Sequence, residues 1–101
     1  MKWLWTWGGA CFGYRDVDDL WTYDGRHVGR FHGGEVYGQD GAYLGELMNG
    51  DRLITNIGKC SWRQAPFSPY GRRGAYGRHG SYGGYGMYSG YRDFPPPESF
   101  R

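Results

Sequence analysis

Histidine, cysteine and carboxylate side chains are the groups with which a chain of this size could perform catalysis or hold a metal ion. The three histidines are His27, His32 and His79, and no cysteine or carboxylate recurs around them at metal-ligand spacing. Cys11 and Cys60 form neither a CxxC pair nor part of a zinc-finger pattern, and no Ser-His-Asp grouping stands out. The sequence therefore predicts no enzyme, no metal site and no cofactor.

Acidic residues cluster once, at Asp16, Asp18 and Asp19, in an alternation that partly resembles a calcium-binding loop. The glycine and the distal glutamate of an EF-hand loop are missing, so a solvated connector is the better interpretation. Glu35 and Asp51 occupy equivalent places in an internal repeat. A carboxylate repeated in this way usually serves a turn rather than proton transfer.

Aromatic residues make up 20% of the chain and are its most informative feature. Trp5, Trp21 and Tyr37 recur at intervals of 16 residues, and tryptophan and tyrosine favour membrane interfaces and exposed binding patches. These three residues are therefore candidate binding residues, for a membrane surface or for another apolar ligand or partner. The alternative interpretation is structural: one set of apolar side chains fills the barrel, and the other packs around it, against the tail or an oligomeric partner.

The 16-residue interval comes from a pattern written in residues 20–35 and again in residues 36–51, with a related copy in residues 4–19. Its equivalent positions are Leu4, Leu20 and Val36, then Phe12-Gly13, Val28-Gly29 and Leu44-Gly45, and the turn pairs Gly8-Gly9, Asp24-Gly25 and Asp40-Gly41. Asp-Gly between short β-prone runs is a strong hairpin signal, because a two-residue type I′ turn needs positive φ at both central positions. Each copy is therefore predicted to be a β-hairpin, with Asp24, Gly25, Asp40 and Gly41 as structural turn residues.

The turn position predicts which side chains face each other across a hairpin. A two-residue turn at Asp24-Gly25 would place Trp21 opposite Val28 and Leu20 opposite Gly29, with corresponding pairs in the other copies. A strand glycine opposite a large aliphatic side chain leaves space that a side chain from elsewhere can fill. The aromatic and the leucine columns are then expected on opposite faces of the sheet.

A fourth, degraded copy begins at Arg52 and includes Lys59 to Arg63. The predicted fold is thus all-β, a small pseudo-symmetric meander or shallow barrel of four repeated β-hairpins spanning residues 2–63. We expect the ring to close, because closure removes the edge strands that promote aggregation. The alternative is an open, twisted meander whose free edge pairs with another subunit, which would make the protein a homo-oligomer.

Asp-Gly hairpins with a recurrent glycine column resemble the small bacterial proteins described as a four-fold β-flower, a shallow pseudo-symmetric barrel of hairpins. The resemblance covers about residues 3–63 and rests on the repeat pattern. It implies the fold but no assigned activity. The likeness of that shape to Tubby-type and scramblase-type barrels suggests lipid contact by analogy only.

Residues 64–101 form a Gly-, Tyr- and Arg-rich low-complexity tail with five arginines against two acidic residues. Its tyrosines Tyr70, Tyr76, Tyr82 and Tyr88 recur every six residues, and large aliphatic side chains are almost absent, so the tail is predicted to be disordered. Arginine among glycine and tyrosine is typical of segments that stack on unpaired bases and neutralise phosphate. The candidate nucleic-acid-binding residues are Arg72, Arg73, Arg78, Tyr70, Tyr76 and Tyr82. The alternatives are a solubilising tail and a self-associating one.

Cysteine usage and hydropathy bear on location. Two cysteines without a disulfide framework are typical of a reducing compartment, and no apolar run approaches the ~18 residues that span a bilayer. The start, MKWLWTWGGAC, faintly resembles a lipoprotein signal, but its apolar segment is too short. We therefore expect a cytoplasmic protein, with peripheral membrane association as the alternative. Its expected role is non-catalytic binding or assembly through the repeated aromatics, against the alternative of weak nucleic-acid binding or self-association through the tail.

Overall fold

A computed structural model describes residues 1–101, and all of its regular elements are short strands and 3-10 helices. The strands are β1 (Lys2–Thr6), β2 (Cys11–Asp16), β3 (Asp19–Thr22), β4 (His27–His32), β5 (Glu35–Tyr37), β6 (Tyr43–Met48), β7 (Arg52–Asn56) and β8 (Tyr91–Asp93). The two 3-10 helices are Ile57–Lys59 and Pro97–Phe100. Neither helix has the length and apolar character needed to cross a membrane.

Strands β1 to β7 form an antiparallel meander that closes on itself. Closure comes from parallel pairing of β1 with β7, in which Trp5 faces Arg52 and Thr6 faces Leu53. The remaining strand, β8, pairs antiparallel with residues 54–56 of β7. The predicted all-β fold with a closed ring is confirmed in the form of a seven-stranded barrel with one extra strand.

The hairpin turns lie where the glycines predict them, but they are one residue longer. In the second hairpin the Thr22 N–H donates to the Arg26 carbonyl at 2.9 Å, and the Gly25 N–H donates to the Thr22 carbonyl at 3.0 Å. Residues 23–25 therefore form a three-residue loop, in which Gly25 has a φ of 90°. The predicted two-residue type I′ turn is wrong, because Asp-Gly also suits a type I turn that ends in a left-handed glycine.

A β-bulge next to each of these turns absorbs the additional residue. Leu20 faces Gly29 as predicted, but Trp21 faces His27 instead of Val28. The same shift separates Leu4–Gly13 from Trp5–Cys11, and Val36–Gly45 from Tyr37–Tyr43. Because side chains alternate along a strand, the bulge turns the predicted aromatic-facing residues Phe12, Val28 and Leu44 onto the leucine face.

That face lines the barrel interior and forms the hydrophobic core. The core cluster consists of Leu4, Phe12, Leu20, Val28, Phe31, Val36, Leu53 and Phe94, with Leu44, Leu47 and Phe100 partly buried against it. The predicted space above the strand glycines is filled: a Cβ on Gly45 would lie 2.5 Å from the Phe94 ring, and one on Gly29 would lie 2.7 Å from Val36. The side chain that fills the third hairpin's space therefore comes from the tail.

The predicted fourth hairpin within residues 52–63 is not confirmed. After β7 the chain enters a 3-10 helix, because the Asn56 side chain accepts the Gly58 N–H at 3.0 Å and caps that turn. The strand that pairs with β7 is Tyr91–Asp93 instead. Cys60 follows the 3-10 helix and is exposed, whereas Cys11 is buried in β2, and both thiols are free. Residues beyond 63 thus contribute to both the sheet and the core.

The predicted disorder of the tail is not confirmed either. Residues 64–90 contain no helix or strand, yet they follow the outside of the barrel and form backbone hydrogen bonds with it. Low hydrophobicity predicts disorder for a segment that must form a core of its own. Here the barrel supplies an aromatic surface on which the tail packs, as in the structural interpretation of the repeated aromatics.

Candidate binding surface

The candidate binding residues Trp5, Trp21 and Tyr37 lie on the outside of the barrel, at equivalent places in the three hairpins. Each precedes its turn and pairs across the hairpin with the first residue of the next strand. They are nevertheless only 7%, 1% and 2% exposed. We call the surface that they form with Trp3, Trp7, Tyr14 and His27 the outer face. Its burial shows that something covers it.

The cover over the first two hairpins is the tail, which attaches through its backbone at every third residue. The N–H donors and their acceptors are Gln64 to the Gly41 carbonyl, Phe67 to Gln39, Tyr70 to the His27 Nδ1, Arg73 to Gly25, Tyr76 to Tyr23, Tyr82 to Gly9, and Tyr85 to Trp7. Their N···O or N···N distances lie between 2.8 and 3.2 Å. The remaining position of the series, His79, contacts the barrel through its ring, which lies 3.9 Å from Trp3 between centroids. The tail therefore presents every third residue to the barrel.

The attachment points repeat with the hairpins. Gln64, Arg73 and Tyr82 contact the turn glycines Gly41, Gly25 and Gly9. Tail residues nine positions apart therefore contact barrel residues 16 positions apart. The tail contacts the third hairpin first and the first hairpin last. A second series, Phe67, Tyr76 and Tyr85 on Gln39, Tyr23 and Trp7, has the same spacing.

Side chains of the tail stack on the outer face. The Tyr82 ring lies 4.4 Å from Trp5 between centroids, and the His79 ring lies 3.9 Å from Trp3. In the second hairpin the Tyr70 ring is nearly parallel to Trp21, at 6.4 Å, and the Arg73 guanidinium lies 3.8 Å from the Trp21 ring centre. Such aromatic and cation–π pairs contribute about 0.5–1.5 kcal/mol each. The tail tyrosines remain about half-exposed, since only one side of each ring is covered.

The outer face also donates hydrogen bonds to the tail. The indole Nε1 of Trp5 donates to the Gly80 carbonyl at 2.9 Å, and that of Trp7 donates to the Gly86 carbonyl at 3.0 Å. Arg52, which is buried, donates to the Gly83 carbonyl at 3.0 Å. These bonds join polar atoms of buried side chains to the tail backbone, so the outer face provides directional contacts as well as apolar area.

The predicted turn glycines have a second role in this arrangement. Gly9, Gly25 and Gly41 have φ values of 98°, 90° and 86°, which are rare for residues with a side chain. A Cβ at these positions would also lie 2.0, 2.1 and 2.2 Å from carbonyl oxygens of the tail. The turns therefore need glycine for their own conformation and for the close approach of the tail.

The two predicted turn aspartates act within their own loops. The Asp24 carboxylate accepts the Thr22 hydroxyl, and Asp40 accepts the Ala42 N–H at 3.0 Å. Burial raises the pKa of Asp24, but the Thr22 hydroxyl and Arg101 outweigh that effect and hold it below its usual value. Asp24 also pairs with two tail arginines, Arg72 at 3.8 Å and Arg101 at 3.4 Å.

The three arginines proposed for nucleic-acid binding pair with carboxylates. Arg73 lies 2.9 Å from Asp16, Arg72 lies 3.8 Å from Asp24, and Arg78 lies 3.8 Å from Glu98. All three guanidinium groups are substantially exposed, so each pair contributes little to stability. Of their proposed tyrosine partners, Tyr70, Tyr76 and Tyr82 all contact the outer face.

His27 joins the tail to the second hairpin. Its Nε2 lies 2.9 Å from the Asp19 carboxylate and 3.1 Å from the Gly29 carbonyl, while its Nδ1 accepts the Tyr70 N–H at 2.9 Å. Nδ1 therefore carries no proton, and the neutral ring donates through Nε2. Burial lowers the pKa of His27, although Asp19 acts in the opposite direction. The ring packs against both Trp21 and Tyr70, at 5.0 Å between centroids from each.

The third hairpin is covered differently. Its outer residues Tyr37 and Tyr43 donate hydroxyl hydrogen bonds to Glu35 and Glu46, at 3.0 and 2.8 Å. The Lys59 ammonium lies 2.8 Å from both carboxylates, and hydrogen bonds to them raise its pKa. This network takes the place that stacked tail aromatics occupy over the other two hairpins.

The structure brings no three His, Cys, Asp or Glu side chains together in a group that could hold a metal ion. A cleft of about 510 Å³ lies between the second and third hairpins, lined by residues that include Arg26, His27, Asp40, Tyr70 and Arg72. It is bounded partly by the tail and so belongs to the same surface.

The sequence contains a signal for the tail contacts that the six-residue tyrosine spacing conceals. Glycine occurs at every third position from Gly71 to Gly86, and the residues before these glycines are those that contact the barrel. Six is twice this interval, so the tyrosine spacing shows only alternate contacts. Arg73, His79 and Tyr85 complete the series.

Comparison of the chain with protein families, with curated proteins and with solved structures finds no match. The resemblance to the β-flower proteins therefore stays a prediction from the repeat pattern.

Proposed function

We propose that this protein is a non-catalytic binding or assembly module whose outer face binds an extended, aromatic-rich partner segment. The observation that carries the proposal is the covering of the first two hairpins by residues 64–90 of the same chain. Trp5, Trp7 and Trp21 each contact that segment through ring stacking, a backbone hydrogen bond or both. The tail acts as the resident occupant of a surface built to bind such segments.

Because the tail covers the outer face, the protein can carry this aromatic surface without exposing it to solvent. Large exposed apolar patches promote aggregation or mark binding sites. An occupant tethered to its own surface competes at an effective concentration in the millimolar range. A partner must therefore displace the tail, or bind while the tail is detached, and assembly is controlled by that competition.

The test uses the full-length chain with Tyr70, Tyr76 and Tyr82 replaced by serine. These changes remove three stacking rings but leave β8 and Phe94, which the barrel needs. Fluorescence anisotropy should show that a labelled synthetic peptide of residues 64–90 binds this variant more tightly than it binds the unaltered chain. A peptide with the same three serines serves as the matched control and should bind weakly.

Two other outcomes would redirect the proposal. Co-sedimentation of the triple variant with phosphatidylcholine vesicles, in the absence of peptide binding, would support the membrane-surface alternative for Trp5, Trp21 and Tyr37. Binding of the unaltered chain to single-stranded oligonucleotides, lost when Arg72, Arg73 and Arg78 become serine, would support the nucleic-acid alternative. Absence of peptide binding to the triple variant would contradict the proposed function itself.

A further inference from the structure

We infer that the outer face selects its partner by a three-residue contact interval, and that the segment it fits is the tail of a second copy of this chain. The inference rests on the proposed function and adds to it a rule for recognition and a partner.

The contact interval is fixed by the backbone. Every third amide from Gln64 to Tyr85, except that of His79, donates to a barrel carbonyl or to His27. The side chains at these positions from residue 67 onward are aromatic, histidine or arginine, and the His79 ring lies on Trp3. A segment with another interval could not satisfy successive acceptors, since insertion of one residue shifts every later donor out of register with its acceptor.

The glycine that directly follows each contact residue from Tyr70 to Tyr85 is not selected by shape. A Cβ added at Gly71, Gly74, Gly77 or Gly80 would meet no atom within 4 Å, so these positions face away from the barrel. Recognition therefore depends on the spacing of the contact residues and not on glycine as such. The outward positions are free to vary.

The nine-residue spacing between contacts with successive turn glycines sets the register of residues 64–90 on the barrel. Nine tail residues, which are three contact intervals, span one hairpin, and residues 64–90 comprise three such units. At each turn glycine a tail carbonyl lies within about 2.2 Å of where a Cβ would stand. The unit boundaries are therefore tied to Gly41, Gly25 and Gly9.

The chain that offers a segment with this spacing is the protein itself. Every copy carries one outer face and one tail. The tail of one copy therefore finds on its partner's barrel the same hydrogen-bond acceptors that it finds on its own barrel. Exchange of this kind is an economical route to a dimer, because no new interface has to be formed. The connecting residues 60–63 are exposed and join the third hairpin through the Tyr43 N–H, which donates to the Trp62 carbonyl at 3.2 Å. Residues 64–90 are the part that exchanges, while β8 and Phe94 stay in their own barrel.

The first experiment measures peptide binding to the full-length triple variant described above, using synthetic peptides. The native peptide 64–90 should bind. A peptide with one glycine inserted after Arg72 and one after Ser81 should bind at least about tenfold more weakly. The matched control, with Gly71, Gly77 and Gly80 replaced by alanine, keeps the contact interval and should bind within about twofold of the native peptide.

A change on the barrel tests the same register. Gly25→Asn, added to the triple variant, retains a residue that tolerates positive φ but places a Cβ in the path of the tail. It should weaken binding of the native peptide by about tenfold. Gly33→Asn is the control, because Gly33 also has positive φ, at 65°, and nothing lies within 4 Å of its Cβ position. That variant should bind the peptide unchanged.

The second experiment addresses the partner. Unaltered protein in isotopically heavy and light forms is mixed at high concentration, and native mass spectrometry should reveal dimers that contain one copy of each. Only monomers, despite tight peptide binding, would overturn the second copy as partner. Equal binding of the native and glycine-inserted peptides would overturn the contact interval while leaving the proposed function intact. Absence of any peptide binding would overturn both.

Discussion

The interior of the barrel and its outer face solve different packing problems with residues from the same strands. The interior holds aliphatic and phenylalanine side chains that need no polar partner, such as Leu4, Leu20 and Phe94. The outer face holds tryptophan, tyrosine and histidine, and the polar atoms of Trp5, Tyr37 and His27 bond to the tail or to a carboxylate. Packing in the interior therefore depends on side-chain volume, whereas packing on the outer face depends on the direction of hydrogen bonds and the spacing of the aromatic rings.

The tail contributes to both regions, but by different means. Phe94 enters the core and packs edge-on against Phe12, at 5.2 Å between ring centroids. Residues 64–90 stay outside, where they remain exposed on one side. Loss of the first contact should weaken the whole barrel, whereas loss of the second should release the tail. The following predictions separate the two regions on this basis.

The largest effect is expected for Phe94→Ala, which leaves a cavity next to Gly45. Phe94 is 2% exposed, and truncating a buried phenylalanine lowers the free energy of unfolding by ~3–5 kcal/mol. Phe100→Ala is the control, because Phe100 is only partly buried against the same cluster and should cost less. Urea denaturation followed by circular dichroism measures both. Equal losses would mean that the core is not closed by Phe94.

Trp21→Ala tests the outer face. The ring is stacked against Tyr14, His27 and Tyr70 and is 1% exposed, so we expect a loss of about 3 kcal/mol. Unlike Phe94→Ala, this change should also speed hydrogen exchange at the Arg73 and Tyr76 amides, because the tail loses its stacking surface. A stably folded variant with unchanged exchange there would show that Trp21 does not hold the tail.

Gly45→Val should destabilise the barrel more than Gly29→Val does. The Cβ at Gly45 would lie 2.6 Å from the Ile54 carbonyl oxygen, which is backbone and cannot rotate away. At Gly29 the first contact is the Val36 side chain, which has some freedom to adjust. Overpacking costs ~1–3 kcal/mol, with Gly45 at the upper end. Thermal unfolding compares the two, and a Gly29 variant that is the less stable would contradict the assigned contacts.

The smallest effect is the pH dependence of the second hairpin. The folded state lowers the pKa of His27, so the contribution of the neutral ring is complete above the unfolded value of about 6.5. As the pH falls below 6.5 toward the folded pKa, the unfolded chain takes up the proton first and stability decreases, by at most about 1.4 kcal/mol per pH unit. Protonation of Nδ1 also removes the acceptor of the Tyr70 N–H.

Thermal unfolding and exchange of the Tyr70 amide at pH 7.5 and pH 5.5 measure this dependence. His27→Gln should flatten it, while His32→Gln, which changes an exposed residue, should leave it in place. A pH profile that survives in the His27 variant would place the titrating group elsewhere.

Much of the fold could be predicted from the sequence because equivalent residue pairs recur in each copy of the repeat. The pairs Leu4–Gly13, Leu20–Gly29 and Val36–Gly45 were predicted from pattern and occur in the structure. The pairs next to the turns were wrong, since Asp-Gly fits two loop lengths and only backbone geometry distinguishes them. One extra residue sufficed to move Val28 from one face to the other.

The candidate surface was harder to predict, because its residues form contacts far apart in sequence. The spacing of Trp5, Trp21 and Tyr37 indicated that they share one face, but nothing local shows that a segment rich in glycine covers it. Low hydrophobicity predicts disorder when a segment is judged alone. Tyr82 on Trp5 shows that half-exposed rings become ordered when a partner surface supplies the other half of the contact.

The entry of Phe94 into the core has a consequence for the order of events during synthesis. A growing chain exposes its earlier residues first, and local hairpins form faster than contacts between distant residues. The three hairpins are complete by residue 48, yet the position above Gly45 stays empty until residue 94 has been made. Residues 64–90 are made within the same interval, so the tryptophans gain their cover before the core is complete, and the barrel keeps an open position above Gly45 after its outer face is covered.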